Sequence, residues 1–229
     1  YFNSYGVNVK MFEMLGHLVP REDEEISVEL ERQFGRQGIE FATSASVSGV
    51  EKKDGRLAVQ YEVGGDKQEF ICDKVLLGVG VQPNTDDIGL ENLGINTVGP
   101  GFIEVDGNMR TNVGGVYAVG DVNGKLMLAH VAFDQGVVAA ETIAGHETEP
   151  IEDYVNVPRC TYAQPQIASI GLTEAQAREN GVNLKIGKVP FQVAGKSVAI
   201  GEPQGFVKVL TDDDTGEVVG AHIIGPEAT

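Results

Sequence analysis

The sequence lacks most of the features that would mark an unusual chemistry. Only two cysteines occur among 229 residues, Cys72 and Cys160, far apart and in no CxxC or CxxxxC pair. A disulfide framework is therefore excluded as the basis of the fold, and a reducing, cytoplasmic compartment is expected. Basic charge is scarce: 17 Lys and Arg against 34 Asp and Glu leave a net charge of −17. Nucleic acid wants a basic face and anionic membranes attract one, so neither is expected as a partner. No apolar run approaches the roughly 18 residues of a membrane-spanning helix. The four histidines show no metal-ligand spacing, so no metal site is expected, and no Ser/His/Asp set can be assembled. No signal peptide or initiator Met is visible. The chain opens at Tyr1 and stops at Thr229, and both ends read as cuts through an element, as in an internal fragment.

What is present fits two or more ordinary globular domains. Residues 7–15 alternate Val7, Val9 and Met11 with Asn8, Lys10 and Phe12, and read as a strand. Gly6 closes a helix tail over residues 1–5. Glu22, Asp23, Glu24 and Glu25 load the start of a helix with negative charge, which its dipole favours. Ile26, Leu30 and Phe34 then recur at helical spacing up to Gly38. Leu57, Val59, Tyr61 and Val63 alternate with polar residues, Gly64-Gly65-Asp66 turns, and residues 68–72 return as a hairpin or meander. Two apolar runs, residues 75–80 and 116–119, fit strands buried on both faces of a parallel sheet. Residues 102–105 read as a short strand and residues 131–144 as a helix ended by Gly145. From about residue 151 the pattern becomes antiparallel α+β. Strands are expected at residues 160–163, 167–171, 184–190, 205–210 and 218–224, with one helix at 173–180. Thr173 and Gln176 have capping-box spacing, and residues 212–216 form a hairpin turn.

Four places could carry chemistry. Glu13 ends the strand after a helix tail, where a Rossmann βαβ unit keeps the acid that binds an adenosine ribose. The Gly-rich phosphate loop belongs about 20 residues upstream of that acid, before Tyr1. A solvent-facing glutamate would look the same. Gly78-Val79-Gly80 allows close backbone approach by a ligand, though many folds use such glycines without one. Gly120-Asp121 follows an apolar run, the place where open α/β sheets bind ligands; Asp121 could accept from a ribityl or ribose hydroxyl, or simply cap a turn. Met127-Leu128-Ala129-His130 opens a helix whose free N–H groups attract negative charge, such as that on a reduced flavin. His130 reads as a packed first-turn residue, His222 as structural, and both cysteines as buried small hydrophobes.

Together these segments resemble the pyridine nucleotide-disulfide oxidoreductase family. TNVGGVYAVGD is similar to its second flavin motif, and VKMFEML before PREDEEIS to the second strand of its NAD domain. GDVNGKLMLAHVAFDQGVVAAE and VPRCTYAQPQIASIGLTEAQA resemble the branch that oxidises dihydrolipoamide with FAD and NAD. The resemblance implies an α/β fold: partial Rossmann-like NAD and FAD domains followed by an α+β interface (dimerisation) domain. The boundaries would be 1–80 for the partial NAD domain, 81–150 for the returning segment of the FAD domain, and 151–229 for the partial dimerisation domain. It implies that Glu13 binds the NAD ribose and that Val47, Gly78, Val79 and Gly80 line the NAD site. Asp121 would hold the FAD ribityl chain. Ala129 would present its backbone to the isoalloxazine, with Met127, Leu128 and His130 beside it. The partners implied are a second copy of the chain and the lipoyl domains of a 2-oxo acid dehydrogenase complex. The chain departs from the family after Gly80, where Val81 stands in place of a common Arg. The family's first flavin motif, its redox CxxxxC and its catalytic His-Glu pair would lie outside the chain, so no catalytic residue is assigned. A sibling disulfide or mercuric reductase using NADPH, and a non-catalytic nucleotide-binding and dimerisation piece, remain alternatives.

Overall fold

The computed structural model describes residues 1–229, which form two compact units: Tyr1–Leu76 with Pro158–Thr229, and Leu77–Val157. In the first unit a 3-10 turn over Phe2–Tyr5 ends at Gly6, whose φ of 80° suits glycine. Strand β1 (Lys10–Phe12) then runs parallel to β2 (Glu40–Ala42). The crossover between them is helix α1 (Glu24–Arg36). Asp23 caps α1 by accepting the Glu25 N–H at 3.2 Å. Strands β3 (Ala45–Lys53), β4 (Arg56–Val63) and β5 (Asp66–Cys72) form a meander, in which β4 and β5 are the expected pair and β3 is a strand the sequence reading did not name. Lys10 ties β1 to it, its Nζ lying 5.1–5.7 Å from the ring centres of Phe12, Tyr61 and Phe70.

The C-terminal part of this unit is a five-stranded antiparallel sheet. Its strands are β8 (Arg159–Thr161), β9 (Gln166–Gly171), β10 (Leu184–Pro190), β11 (Phe206–Asp212) and β12 (Val218–Gly225), in the order β10-β11-β12-β9-β8. Gly205, at φ 98°, admits no side chain, because a Cβ there would lie 1.8 Å from the Ile224 carbonyl. Helix α1 buries Ile26 and Leu30 against Ile167, Phe206 and Ile224 of this sheet. Helix α4 (Glu174–Glu179) starts with the expected capping box, Thr173 with Gln176, and α5 (Gly195–Ala199) precedes β11.

A polar row crosses the same buried face. Register places Lys208 opposite His222, His222 opposite Ser169, and Ser169 opposite Arg159. Lys208 is 1% exposed, and its Nζ meets Asp23 at 2.8 Å, Glu25 at 2.9 Å and Glu174 at 2.7 Å. Burial alone would lower the Lys208 pKa, but the hydrogen bonds its ammonium donates to these carboxylates raise it instead. Burial pushes Asp23 up; the Lys208 ammonium and the Glu174 N–H outweigh that and hold it below the usual carboxylate value. The Ser169 hydroxyl donates to Glu22, and His222 Nε2 donates to the Leu172 carbonyl at 2.9 Å.

In the second unit α2 (Leu90–Leu93) precedes a hairpin of β6 (Thr97–Val98) and β7 (Phe102–Ile103). A 3-10 turn, Gly120–Asn123, leads to α3 (Ala129–Ile143), two residues earlier than its apolar pattern suggests. Ile95, Ile103, Val105, Met109, Ala118 and Ala139 form the core.

Two expectations fail. Residues 75–80 form no strand: they pair with nothing, and Leu76, Leu77 and Val79 are 81%, 78% and 92% exposed. Residues 116–119 contribute only an isolated bridge, Tyr117 with Arg110. An apolar run specifies that a segment is to be covered, not which strand covers it. A strand also needs partners on its hydrogen-bonding edges, and no segment of this chain supplies them.

Candidate functional site

The acid at the end of β1 is held by its own loop. Glu13 continues the parallel ladder: its N–H donates to the Ala42 carbonyl and its carbonyl accepts from Ala45, both at 2.9 Å. The half-buried side chain turns back, and Oε1 accepts the Leu15 N–H at 2.8 Å. This bond orients the carboxylate and leaves Oε2 to accept from an incoming hydroxyl. Ala45 opens β3, so Val47 rises from the same edge, with its side chain 45% exposed. Val47 therefore stands two residues along β3 from the bond that joins Ala45 to Glu13. A bulge between Val47 and Gly49 turns β3 just there.

Gly78, Val79 and Gly80 lie in the other unit, in extended, unpaired chain. A Cβ at Gly78 or Gly80 would meet nothing within 4 Å, and Gly80 has a φ of 109°. The space before these glycines is open, and only Gly80 is required by backbone conformation.

Asp121 and the start of α3 are the second local cluster. Val119 leads into the 3-10 turn and Gly120 adopts φ 79°, seated against Ala132, to which a Cβ would come within 3.4 Å. Asp121 is exposed at the head of this turn. Leu128 is the N-cap of α3, and no side chain caps it. The N-cap residue thus supplies no side-chain acceptor to the first turn, which keeps the polarity of a helix N-terminus. Met127 and Leu128 are half-buried beneath that turn, and Ala129 and His130 are exposed, so His130 is not the packed residue expected. Val131 takes the inward side of the first turn at 1% exposure, and His130, one residue before it, faces outward.

What holds the cluster together was not read from the sequence. Gln135 is fully buried on α3; its Oε1 accepts the Gly120 N–H at 2.6 Å and Asn123 Nδ2 at 2.9 Å. Its Nε2 donates to the Tyr154 hydroxyl at 2.9 Å. The signal available was its place in the stripe Val131, Gln135, Ala139, Thr142, all buried.

The remaining candidates are simpler. His222 is fully buried, as expected of a structural residue, though its Nδ1 lacks a partner. Cys160 is exposed and Cys72 only half-buried, against the expectation that both are packed; they sit at a sheet-edge strand and at a strand end, where one side stays open. A concavity of about 350 Å³ lies between α1, β10 and β11, lined by Glu29, Arg32, Lys188 and Phe206 among others and by none of the candidates.

Comparison with known proteins gives a consistent picture. Residues 1–136 match the family described as pyridine nucleotide-disulphide oxidoreductase, and residues 157–229 match its dimerisation domain. Dihydrolipoyl dehydrogenase of Mycobacterium leprae is 44% identical over 97% of this chain and 48% of its own length. The enzyme of the same name from Bacillus subtilis is 41% identical over 99% of this chain and 48% of its own. Among solved structures, the HOCl-induced flavoprotein disulfide reductase RclA of Escherichia coli superposes with a TM-score of 0.90 at 25% identity, covering 99% of this chain and 51% of that one. LpdA of Mycobacterium tuberculosis gives 0.88 at 28% identity, covering 99% and 49%. The chain spans about half the length of the curated relatives it matches.

Proposed function

The chain belongs to the pyridine nucleotide-disulphide oxidoreductase family, and from that premise we propose that it is the nucleotide-binding and dimerisation part of a dihydrolipoamide-oxidising flavoprotein that uses FAD and NAD. The observation that carries the reading is the cluster of Asp121 with the uncapped start of α3. A carboxylate that accepts hydroxyls, close in sequence to a helix start that favours negative charge, suits a ligand with both a polyol chain and an electron-accepting ring. Bound FAD supplies the two-electron relay between a dithiol and NAD.

Each residue then has a defined task. Asp121 accepts from ribityl hydroxyls. The first-turn amides of α3, at Ala129 and His130 above Met127 and Leu128, favour negative charge on the ring side by about 0.3–2 kcal/mol. Glu13 accepts from the adenosine ribose of NAD on Oε2, and Val47 covers its adenine side. Gly78, Val79 and Gly80, in the other unit, leave open space for close approach of a ligand. Cys72 and Cys160 are both free, so this chain contributes binding rather than the dithiol step, and free thiols suit a cytoplasmic setting. The match of residues 157–229 to a dimerisation domain supports a homodimer. The lipoyl domains of a 2-oxo acid dehydrogenase complex are the proposed substrate carriers.

A second reading, a disulfide reductase driven by NADPH, shares only the name disulfide reductase with RclA, and the dihydrolipoyl dehydrogenases at 44% and 41% identity weigh against it. Glu13 weighs against it, because a carboxylate at the ribose repels a 2′-phosphate. The test uses the full polypeptide that carries this chain, purified without added flavin. A flavin absorption band and dihydrolipoamide-dependent reduction of NAD are expected. A colourless protein refutes the flavin assignment, and a marked preference for NADPH selects the second reading.

A further inference from the structure

We propose that Gln135 is a positioning residue that locks the Gly120–Asp121 turn to the start of α3, so that the two halves of the flavin cluster move as one body. The inference rests on the FAD reading above.

The argument starts from an anomaly. Helix α3 buries Val131, Ala139 and Thr142 on one face, and a fourth member of that face, Gln135, is a primary amide with no solvent exposure. A buried amide is costly unless every polar end is used. Here both ends are used, and the partners are selective. Oε1 takes the backbone N–H of Gly120, the residue before Asp121, and the side chain of Asn123, two residues after it. Asn123 is itself buried, and its Nδ2 also donates to the Ala118 carbonyl at 3.2 Å while its Oδ1 accepts the Lys125 N–H at 3.1 Å. One amide on α3 thus restrains the backbone on both sides of Asp121. Nε2 extends the brace to Tyr154 on the segment after the helix. Gly120, whose φ is 79° and whose Cα faces Ala132, lets the turn sit directly on the first turns of the helix. A leucine at this position would fill similar space and continue the stripe, but would leave the Gly120 N–H and Asn123 without their acceptor. Placement of the Asp121 carboxylate relative to the α3 N-terminus is therefore what the amide adds beyond packing.

The experiment uses the full flavoprotein, stripped of FAD and retitrated, with FAD affinity and the bound-flavin visible spectrum read beside the thermal midpoint of the apoprotein. Gln135→Leu is expected to raise the FAD Kd about ten- to a hundredfold, the range for orphaned buried partners, and to shift the bound-flavin spectrum. Gln135→Glu keeps both acceptor bonds and can accept a hydrogen bond donated by the Tyr154 hydroxyl, so it is expected to restore the Kd to within about threefold. If Gln135→Leu lowers the apoprotein midpoint but leaves Kd and spectrum unchanged, Gln135 is structural only and the proposal is overturned. Should Gln135→Leu not fold, Tyr154→Phe removes a single bond of the brace. A severalfold weaker Kd supports the proposal, and an unchanged Kd overturns it. A wild-type protein that binds no FAD defeats the flavin reading itself, and this proposal with it; binding by wild type and variant alike defeats the proposal alone.

Discussion

Replacing Lys208 with Met tests the buried ionic cluster most directly. The substitution keeps the length and apolar bulk of the side chain and removes one ammonium from three carboxylates. They do not suffer equally. Glu25, half-exposed, keeps Lys188 at 2.5 Å, and Glu174 keeps Arg178 at 2.8 Å, so each loses little beyond the small value of a surface pair. Asp23 is 1% exposed and is left with only the N–H groups of Glu25 and Glu174, at 3.2 and 3.0 Å. Breaking a buried pair by removing one partner costs about 3–5 kcal/mol, and those two donors place this case near the lower end, about 3 kcal/mol. The pH dependence has a definite sign. Asp23 is held below 3.8 in the folded protein, so its contribution is present above that value and is lost as pH falls through the depressed one. The Lys208 contribution is present below 10.5 and is lost only as pH rises past its raised value. In Lys208→Met the cost comes from a charged Asp23, so the difference from wild type should be full at neutral pH and shrink below about pH 4. Urea titration of the full polypeptide at pH 7 and at about pH 3 and below measures both. The double variant Lys208→Met with Asp23→Asn should recover at least half of the loss, since neither charge is then stranded. A loss below about 1 kcal/mol, or strict additivity of the two substitutions, would refute the reasoning.

Two further outcomes follow from the site. Glu13→Gln preserves the bond from Leu15 but removes the charge, and should raise the KM for NAD about tenfold with a smaller change in kcat, as loss of uniform binding requires; an unchanged KM in steady-state assays removes Glu13 from the nucleotide site. Cys160, exposed on β8, should react with a thiol reagent several times faster than half-buried Cys72 while flavin content stays constant, and loss of flavin in step with Cys160 labelling would contradict its placement outside the cluster.

Local signals in the sequence were legible because their physics is local. The capping box of Thr173 and Gln176 closes within one turn, and the charge at Glu24 and Glu25 belongs to the helix start it marks. Period-two alternation located β4 and β5, since a half-buried meander writes its two faces into the sequence. β2 was missed because three residues, Glu40–Ala42, carry no period; its place is set by pairing with β1. Residues 75–80 failed in the opposite way: the apolar signal was strong, and the partners it called for are not in this chain.

The polar residues that organise the molecule were overlooked for a subtler reason. Lys208 and Gln135 look like solvent-facing members of a strand and a helix when judged by type. Judged by phase they do not. Lys208 alternates in step with Phe206 and Leu210, both buried, and Gln135 stands four residues from Val131 and four from Ala139, both buried. A single polar residue in phase with an apolar face has two outcomes: it is an error the fold cannot tolerate, or its hydrogen-bonding capacity is met by something distant in sequence. Here the second holds both times, with partners 185 positions away for Lys208 and Asp23 and 15 for Gln135 and Gly120. The interruption was therefore visible in the sequence, whereas the identity of the partner required the register of β11 against β12 and the seat of the Gly120 turn on α3, which only the folded chain supplies.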